Sequence, residues 1–251
     1  MMALIDADSL VHKSFYYVNS LDLSDNDKIY EGLEVIWSMV QSMVNEAEDE
    51  LGVNFTDFHY FFTTCTNNFR KELLSDYKSN RPDKNPLIYK LLDVFMEATS
   101  ENNDVHYDEE LEADDLIPRF IKKNGLKDSE YCIFNLDKDL DQLAGFHFNY
   151  QKVALKDENN NLVLDDQGEK IMRYKGLKYI TKKEAFRNFC KLMLIGDSAD
   201  NIVGVKGIGE KKSEKLLYGR SMFGMWRVVV EQYLENDSRD KLELKVKLIR
   251  L

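Results

Sequence analysis

Eight carboxylates in four short motifs are the residues of this sequence whose types and spacing could do chemistry. They are Asp6, Glu112, Asp114, Asp115, Asp137, Asp139, Asp197 and Asp200. Brought together in a fold, they would repel one another and oppose compaction unless cations neutralised them. Because oxygen ligands without a histidine or cysteine array favour hard ions, the motifs predict Mg²⁺ or Mn²⁺.

The number of carboxylates indicates two metal ions rather than one. Mg²⁺ keeps several waters and takes only one or two protein carboxylates. Two ions ~3.5–4 Å apart suit in-line attack on a phosphodiester, with one activating water and the other stabilising the leaving oxygen. We therefore predict a two-metal site for phosphodiester hydrolysis, with Mg²⁺ as the ion and Mn²⁺ as a substitute.

Each acidic motif also has a simpler explanation when it is taken alone. The carboxylates of residues 112–115 could cap a helix, and those of residues 197–200 could cap a turn. Residues 137–148 begin like a calcium-binding EF-hand loop, but Gln142 and Phe148 stand where that loop needs Gly and Glu. All four motifs fall at predicted edges of one sheet, and this coincidence favours a shared metal site.

Two basic segments interrupt an otherwise acidic chain. The net charge is −11, yet residues 70–90 carry six bases against three acids, and residues 206–220 carry five against two. Such segments are compatible with nucleic acid bound along one face, although a solvated surface has the same composition. In the first segment cations alternate with aromatic rings that can stack on an unpaired base. The residues assigned to DNA there are Arg70, Lys71 and Tyr77.

A glycine-rich turn opens the second basic segment. It does not follow a predicted strand and lacks the P-loop pattern, which disfavours a dinucleotide fold and nucleotide hydrolysis. An amphipathic helix precedes it and a lysine-rich helix follows it, so backbone N–H groups and a helix N-terminus would face a phosphate. Such contacts read duplex shape rather than base sequence. The DNA-binding residues predicted here are Gly204, Lys206, Gly207, Gly209, Lys211, Lys212 and Lys215.

Alternating strands and helices must position these residues. Hydrophobic patterning predicts strands over residues 2–6, 56–64 and 130–135, and helices over residues 30–44, 88–98 and 111–123. That order is typical of an α/β domain with a mainly parallel sheet. Ligands of such sheets bind beyond the carboxyl ends of the strands. Asp6 and Asp137 lie at such ends, so we expect the acids to converge there.

Three further segments complete the predicted organisation. Residues 67–84 are polar and basic, and Pro82 and Pro86 interrupt them, which predicts a loop or broken helix that projects from the core. Residues 150–179 predict an extended β excursion with a hairpin tip at residues 157–161 and no chemistry of its own. From residue 182 onward the pattern is mostly helical and predicts a second lobe.

Composition limits the class of protein. The chain has 251 residues, 43% of them hydrophobic, which is enough for the core of one large domain or two packed ones. No apolar run reaches the ~18 residues of a membrane helix, and acids near the start disfavour a signal peptide. Three scattered cysteines, Cys65, Cys132 and Cys190, favour a reducing compartment. We expect a cytoplasmic monomer with no membrane association.

The series of motifs resembles a known family, the 5′ nucleases, which comprises flap endonucleases and 5′–3′ exonucleases. The motifs are LIDADSL, DYKSNR, LEADD, LDKDLDQL and IGDSADNIVGVKGIGEKK, in the family's order from Ala3 to about Tyr218. The compact bacteriophage enzymes are the most similar in character. The resemblance implies a PIN-like α/β core over residues 1–180, with a helical arch over about 66–98. It also implies a helical lobe over 181–251, whose helix–three-turn–helix, about 190–218, grips duplex DNA.

The resemblance also implies roles for individual residues. The residues that correspond to the first metal site are Asp6, Glu112, Asp114, Asp115 and Asp137. Those that correspond to the second are Asp139, Asp197 and Asp200, with Asp137 near both. Lys78 and Arg81 match arch residues that contact the scissile phosphate, and Lys13 falls where a basic residue often follows the first acid. The carbonyls that correspond to a K⁺ site are those around Val203, Val205 and Ile208.

One segment departs from the family's pattern. After its second strand the family usually has an aspartate that contributes to the first metal site, whereas this chain reads Thr63-Thr64-Cys65-Thr66. Asp8 or a water would then supply the missing ligand; otherwise the metal would bind more weakly, or the chain would be a variant altered at this site.

The resemblance implies a metal-dependent 5′ nuclease that cuts DNA or RNA primers near free 5′ ends in replication or repair. Its setting would be the cytoplasm of a bacterium or of a phage-infected host, with replication proteins as partners. Two alternatives stay open. The missing aspartate favours a catalytically weakened, structure-specific DNA-binding protein. A PIN-type ribonuclease is the other, against which the glycine hairpin argues, because single-stranded RNA needs no duplex grip.

Overall fold

A computed structural model of the chain describes residues 1–236 and 239–251. Asp237 and Ser238, within the predicted C-terminal lobe, lie outside the described residues. The first part of the chain is built on a six-stranded sheet of order β3-β2-β1-β4-β5-β6. The strands are β1 Met2–Asp6, β2 Asp57–Phe61, β3 Asp104–His106, β4 Tyr131–Phe134, β5 Gly145–Ala154 and β6 Met172–Ile180. All neighbouring pairs are parallel except β5 and β6, which confirms the predicted mainly parallel sheet.

The two central strands, β1 and β4, bring the first acids together. Both are short apolar runs that are largely buried, as expected for parallel strands covered by helices on both faces. Their register pairs Ile5 with Phe134, so they end at the same edge of the sheet. The strand order reverses between them, and such a switch point is where open α/β sheets bind ligands.

Helices cover both faces of the sheet. They are α1 Ala7–Val18, α2 Asp25–Leu51, α3 Phe69–Leu73, α4 Pro86–Ser100 and α5 Ala113–Lys123. The first, second and fourth pack on one face and bury residues such as Val11, Ile36 and Phe95 in the main core. On the other face α5 buries Ile117 against Leu4 and Ile133. Pro86 occupies the first turn of α4, where no helical partner for its missing N–H is needed.

Two elements, α1 and β3, were not predicted, and α2 is longer than the predicted 30–44. The ends of α2 are set by polar signals: Ser24 accepts the Asp27 N–H, and Gly52 ends the helix with a φ of 65°. Beyond residue 44 the helix is acidic and Ala47 is its one buried residue, so hydrophobic patterning could not follow it. The helix α1 begins directly at the end of β1, and no side chain caps it.

Residues 67–84 fold back onto the domain, and the prediction that they project from the core was wrong. Within this segment Arg70 is 2% exposed and Tyr77 is 3% exposed. The backbone N–H of Lys78 donates to the carbonyl of Asp200 at 3.1 Å. Of the predicted arch, only the part before Pro86 therefore lies over the acids, because α4 belongs to the main core.

The remaining elements are mostly helical, as predicted. They are α6 Lys182–Ile195, the two-residue strands β7 Gly196–Asp197 and β8 Ile202–Val203, α7 Glu210–Leu217, α8 Met222–Asn236 and α9 Arg239–Ile249. They share their own hydrophobic cluster, in which Met193, Val229 and Tyr233 pack with Tyr77 of the preceding segment. The predicted β excursion is formed by β5, β6 and two bridged turns between them. Over residues 1–236 and 239–251, none of the helices combines the length and the apolar character that crossing a membrane requires.

Candidate active site

Three of the predicted carboxylates meet at the start of α5. Glu112, Asp114 and Asp115 each place an oxygen within 4.8 Å of the others. Glu112 is the N-cap residue, and the Asp115 carboxylate accepts its backbone N–H at 3.3 Å. The helix dipole favours negative charge at this end. Capping, the simpler explanation, is thus real, and the same geometry also crowds three acids into one place.

A second group of carboxylates follows β1 and β4. Burial, together with Asp8 and Asp137, raises the pKa of Asp6 to about 7. Burial, together with Asp137 and Asp197, raises the pKa of Asp139 to about 8. These shifts have the direction that crowded like charges produce. The structure therefore brings residues from β1, the turn after β4 and the C-terminal hairpin to one edge.

These two groups of carboxylates, together called the acid cluster, have a place for a cation. Two buried carboxylate oxygens, Asp114 Oδ1 and Asp139 Oδ1, have no hydrogen-bond partner among the described residues, which is costly for a charged group. With Asp197 and Asp200 these residues line a small cavity of about 20 Å³. That volume holds one water-sized particle. Hard divalent ions take carboxylate oxygens of this kind as ligands, so the residues fit the predicted metal.

Basic residues of the segment after α3 lie against the acids. Lys78 pairs with Glu112 and places its ammonium nitrogen 3.8 Å from a carboxylate oxygen of Asp200, and Arg81 pairs with the same aspartate. Although burial alone would raise the pKa of Glu112, Lys78 and Tyr77 hold it below its usual value. Lys78 has a φ of 56°, which is uncommon for a residue with a side chain and typical of strained functional positions. The predicted phosphate contacts, Lys78 and Arg81, thus stand at the acids.

Tyr77 connects two acidic motifs, and its ring is not available for stacking on a nucleobase. Its hydroxyl lies 2.8 Å from an oxygen of Glu112 and 2.8 Å from one of Asp200. Burial, followed by these two carboxylates, raises the pKa of Tyr77 far above its usual value. Because the ring is buried in the C-terminal core, the predicted stacking contact with DNA is corrected to a role in positioning the two carboxylates.

Arg70 is likewise buried and is not a DNA contact in this structure. Its two terminal nitrogens donate to the oxygens of Asp115 at 2.5 and 2.6 Å, and its Nε donates to the carbonyl of Leu248 at 2.9 Å. Although burial opposes its charge, the Asp115 carboxylate raises the pKa of Arg70. The assignment of Arg70 to DNA is therefore corrected. Both oxygens of Asp115 are engaged, and its assignment as a metal ligand stays a prediction.

Lys13 lies at the β5 side of the acids. Its ammonium donates to the carbonyl of Tyr150 at 3.1 Å and lies 5.4 Å from the centre of that ring. Burial lowers the pKa of Lys13. Burial, together with Asp6, raises the pKa of Tyr150, which places this tyrosine near the end of β1. A direct role of Lys13 in catalysis stays a prediction.

Asp8 is not among the eight predicted ligands, but it was one of the expected substitutes for the missing carboxylate. It lies in the first turn of α1, and its Oδ1 accepts the backbone N–H of Thr63 at 3.0 Å. Thr63 begins the segment that lacks the expected carboxylate. Burial is the main cause that raises the pKa of Cys65 to about 11, and Asp8 adds to it. Asp8 therefore supplies negative charge to that segment, and the Asp6-Ala-Asp8 spacing was the signal in the sequence.

The glycine hairpin joins α6 to α7 through a close approach of two backbones. A Cβ on Gly204 would lie 2.2 Å from the carbonyl carbon of Ile195, and one on Gly196 would lie 2.2 Å from the Ile202 oxygen. Glycine is therefore required at both positions. In this turn and in the helix that follows it, the predicted DNA-binding lysines are exposed, and they are Lys206, Lys211, Lys212 and Lys215.

The other predicted contacts of this region stay predictions. Lys71 on α3 is exposed and could reach a phosphate. The side chains of Val205 and Ile208 are buried in the C-terminal core, whereas Val203 is exposed. The Val205 carbonyl accepts the Ile208 N–H at 3.1 Å. K⁺ binding by these carbonyls stays a prediction.

Comparison with known proteins gives sequence relatives along most of the chain. Residues 1–174 match the family model described as 5′-3′ exonuclease, N-terminal resolvase-like domain. The chain is 30% identical to DNA polymerase I of Bacillus subtilis, in an alignment that covers 86% of this chain and 23% of the polymerase. It is 24% identical to a 5′-3′ exonuclease of Aquifex aeolicus, over 99% of this chain and 80% of that protein. The chain thus spans less than a quarter of the length of the polymerase that it matches.

Solved structures show the same fold. The 5′-exonuclease of T5 with bound zinc superposes with a TM-score of 0.61 at 15% identity, covering 99% of this chain and 88% of that one. A bacteriophage T5 flap endonuclease, in a pseudo-enzyme–product complex with DNA and metal ions, gives a TM-score of 0.58 at 15% identity, with the same coverage. At this level of identity the likeness concerns the fold alone.

Proposed function

Because this chain belongs to the 5′–3′ exonuclease family, we propose that it is a divalent-metal-dependent 5′ nuclease that hydrolyses phosphodiesters near a free 5′ end or flap. The observation that carries the proposal is the acid cluster at the switch point of the sheet. Two of its buried oxygens, on Asp114 and Asp139, have no partner in the described part of the chain. A cluster of this kind needs cations to neutralise it. The type of reaction, phosphodiester hydrolysis, is inferred from membership in the family.

Two groups of carboxylates would hold the metal ions. We assign to the first ion Asp6, Glu112, Asp114, Asp115 and Asp137, and to the second Asp139, Asp197 and Asp200. Asp8 joins the first group, since its carboxylate reaches the segment where a ligand is missing. When bound, Mg²⁺ ions would activate water and stabilise the leaving oxygen of the phosphodiester.

The chain's own cations would position the phosphate. Lys78 and Arg81 lie against Glu112 and Asp200, two acids that would border the scissile group. Donors that are fixed in advance stabilise the charge that develops on a phosphate. The hydrogen bond from the backbone N–H of Lys78 to the carbonyl of Asp200 connects this segment to the C-terminal hairpin. Tyr77 and Arg70 act as positioning residues, because they are buried and orient carboxylates.

A duplex with a 5′ end or flap is the proposed substrate. The exposed lysines after the glycine hairpin and the N-terminus of α7 present positive charge without base-reading groups, which suits a phosphate backbone. The relation to DNA polymerase I and to a nuclease bound to DNA supports DNA as the substrate, and an RNA-primed strand fits the same contacts. We propose a monomer that acts in the cytoplasm with replication proteins; its three free cysteines agree with a reducing compartment.

The experiment is cleavage of a duplex that carries a labelled 5′ flap, in Mg²⁺, in Mn²⁺ and in EDTA. Asp139→Asn is the test variant, and Asp166→Asn, an exposed acid of the β excursion, is the matched control. The proposal predicts cutting near the junction in either metal, none in EDTA and none by Asp139→Asn. Cutting in EDTA, or a wild-type rate for Asp139→Asn, would show that the metal assignment is wrong.

The second candidate is a structure-specific DNA-binding protein without turnover. One observation favours it: the segment Thr63-Thr64-Cys65-Thr66 has no carboxylate. It predicts tight binding of the flap duplex and no cleavage in either metal. Membership in the exonuclease family and the exposed lysines after the glycine hairpin argue against a PIN-type ribonuclease. Preferential cleavage of single-stranded RNA in the same assay would support that ribonuclease instead.

A further inference from the structure

A polar cavity of about 310 Å³ opens beside the acid cluster, at the base of the β excursion. One of its lining residues, Asp137, belongs to the acid cluster itself. The lining also includes Lys138, Asn149, Gln151 and Lys175. We call this cavity, defined by these five residues, the β5–β6 groove. Its volume is at the lower end of the range for ligand sites, ~300–1,000 Å³, and is large enough for a nucleotide unit.

An irregularity in the pairing of β5 with β6 opens the groove. The register runs from Asn149 opposite Gly176 to Lys152 opposite Tyr174, so two residues of β5 face one residue of β6. The Asn149 side chain accepts the Gln151 backbone N–H at 3.0 Å, which stabilises this bulge. Bulges redirect side chains and are frequent beside active sites. The groove is therefore a built feature of the sheet rather than a gap between loops.

The charged residues of the groove that lack an ion-pair partner carry a net positive charge once Asp137 is neutralised. Lys178 at its wall is paired with Asp141 at 2.6 Å, so these two charges cancel. Among residues 1–236 and 239–251, no carboxylate lies within 4.0 Å of the ammonium of Lys138 or Lys175, and both lysines are exposed. A metal ion at the acid cluster would neutralise Asp137. Two unpaired cations then remain.

The groove also offers amide donors. The carbonyl oxygen of the Asn149 side chain is used by Gln151. Its amide nitrogen has no acceptor in the parts of the chain that the structure describes. Gln151 is exposed at the rim. Ammonium and amide groups hold phosphate oxygens without reading bases.

From these contacts we propose that the β5–β6 groove binds the phosphodiester backbone of the substrate strand where that strand passes Asp137. The inference deepens the proposed function and rests on it. A bound strand would then touch positive charge on two elements besides the glycine hairpin: the turn after β4 and the strand β6. A free 5′-mononucleotide product has the same phosphate chemistry, and the experiment separates the two sources.

The test uses the single variants Lys138→Gln and Lys175→Gln and the double variant that combines them. The double variant is compared with a control that loses the same number of positive charges. Two variants, Lys156→Gln and Lys170→Gln, make a double control, since both lysines are exposed on the β excursion and do not line the groove. Affinity for a fluorescent flap duplex is measured by anisotropy in Ca²⁺, across a series of salt concentrations, with a gel to verify that the DNA is intact. Thermal unfolding of each variant verifies the fold.

We expect the groove double variant to bind the flap duplex roughly tenfold more weakly at about 0.1 M salt. The slope of log affinity against log salt should fall by about two, roughly one for each phosphate that a groove lysine no longer neutralises. The control should change both quantities far less. A scan of single methylphosphonates should then find one or two positions whose neutralisation weakens binding to the wild type but not to the groove variant.

Wild-type affinity and slope in the groove variant, or losses no larger than in the control, would overturn the proposal. A groove variant that loses affinity for a 5′-mononucleotide but not for the flap duplex would make the groove a product site, and the backbone proposal wrong. Failure of the nuclease proposal is distinguishable, because binding is read without cleavage. A wild type that binds but never cuts in Mg²⁺ refutes the nuclease and leaves this comparison valid.

Discussion

The carboxylate of Asp8 accepts a hydrogen bond from the backbone N–H of Thr63, 3.0 Å away, and so joins the start of α1 to the end of β2. Asp8 is also a cause of the raised pKa of Asp6, second only to burial. These two contacts place a carboxylate between the first acid and the segment that lacks one. We propose that Asp8 supplies the metal ligand that the segment after the second strand lacks.

We predict that Asp8→Asn weakens metal binding by roughly tenfold, a size typical for the loss of a group that supports a metal site. The amide keeps the shape of the side chain but removes the negative charge. Titration calorimetry with Mn²⁺ measures this directly, without DNA and without turnover.

Two further variants make this prediction specific. Asp22→Asn removes an exposed acid that lies beyond the C-terminal end of α1 and should leave Mn²⁺ affinity unchanged. Cys65→Asp in the Asp8→Asn background should restore part of the lost affinity for Mn²⁺. It places a carboxylate in the segment of residues 63–66, which has none and is called the deficient segment. Unchanged affinity in Asp8→Asn would remove Asp8 from the metal site.

Arg70→Ala is expected to destabilise the fold by about 3–5 kcal/mol, since it leaves Asp115 buried without its partner. Both side chains are almost inaccessible, and the pair is bidentate. The measurement is the free energy of unfolding in urea. The double variant Arg70→Met with Asp115→Leu should recover much of the loss, because both charges are then removed together.

A DNA-contact role for Arg70 predicts the opposite pattern. In that case Arg70→Ala would keep its stability and would weaken flap binding with a smaller salt slope. Lys71→Ala is the neighbouring control for stability only, because Lys71 is exposed on the same short helix and is itself a predicted DNA contact.

The stability of the metal-free protein should fall as the pH rises. The pKa of Asp6 is raised from 3.8 to about 7 and that of Asp139 to about 8, chiefly by burial and then by neighbouring acids. Between pH 3.8 and about pH 8 the two aspartates hold more protons in the folded chain than in the unfolded chain. Their contribution to the free energy of unfolding is therefore fully present below pH 3.8 and is lost by about pH 8.

Mg²⁺ should reverse this trend. Its ligands must be ionised, so binding releases protons and strengthens as the pH rises. We expect the increase in unfolding temperature on adding Mg²⁺ to be larger at about pH 8.5 than at about pH 6. Scanning fluorimetry in Mg²⁺ and in EDTA measures it. An increase independent of pH would contradict the assignment of Asp6 and Asp139 as ligands.

Lys215→Ala should weaken binding of the flap duplex and lower its salt slope by about one, with the cleavage rate at saturating DNA unchanged. Lys215 is exposed on α7, in the last turn of a helix that follows the glycine hairpin. Lys247→Ala, in the last turn of α9, is the control that removes the same charge elsewhere. A cleavage defect at saturating DNA would instead place Lys215 in the chemistry.

Local patterns were sufficient for the central strand and the acidic motifs. The buried run Met2–Asp6 was predicted with the bounds that the structure shows, because a short apolar run that ends on an acid is typical of a buried strand in a parallel sheet. The helix α1 was missed, since it starts at the end of that strand without a capping side chain. Asp8 was therefore not placed on a helix that brings it to Thr63.

The two misassigned DNA contacts show where local patterns end. Arg70 and Tyr77 stand among cations and rings, a composition that is the same for a solvated strip and for a packed segment. What buries Arg70 is Asp115, which lies 45 residues away in the sequence. The hydroxyl of Tyr77 reaches Asp200 across 123 residues. No local pattern contains such distances.

By itself, the sequence determined the fold class, most of the order of strands and helices, and the acidic motifs from which the candidate site is built. Periodicity and side-chain chemistry are local properties, and parallel strands bring their carboxyl ends to one edge. Only the tertiary structure decided which cations lie within the acid cluster, that Asp8 reaches the deficient segment, and that a bulge opens a groove beside Asp137. These depend on contacts between distant segments and on strand register, which a single residue of slippage would change.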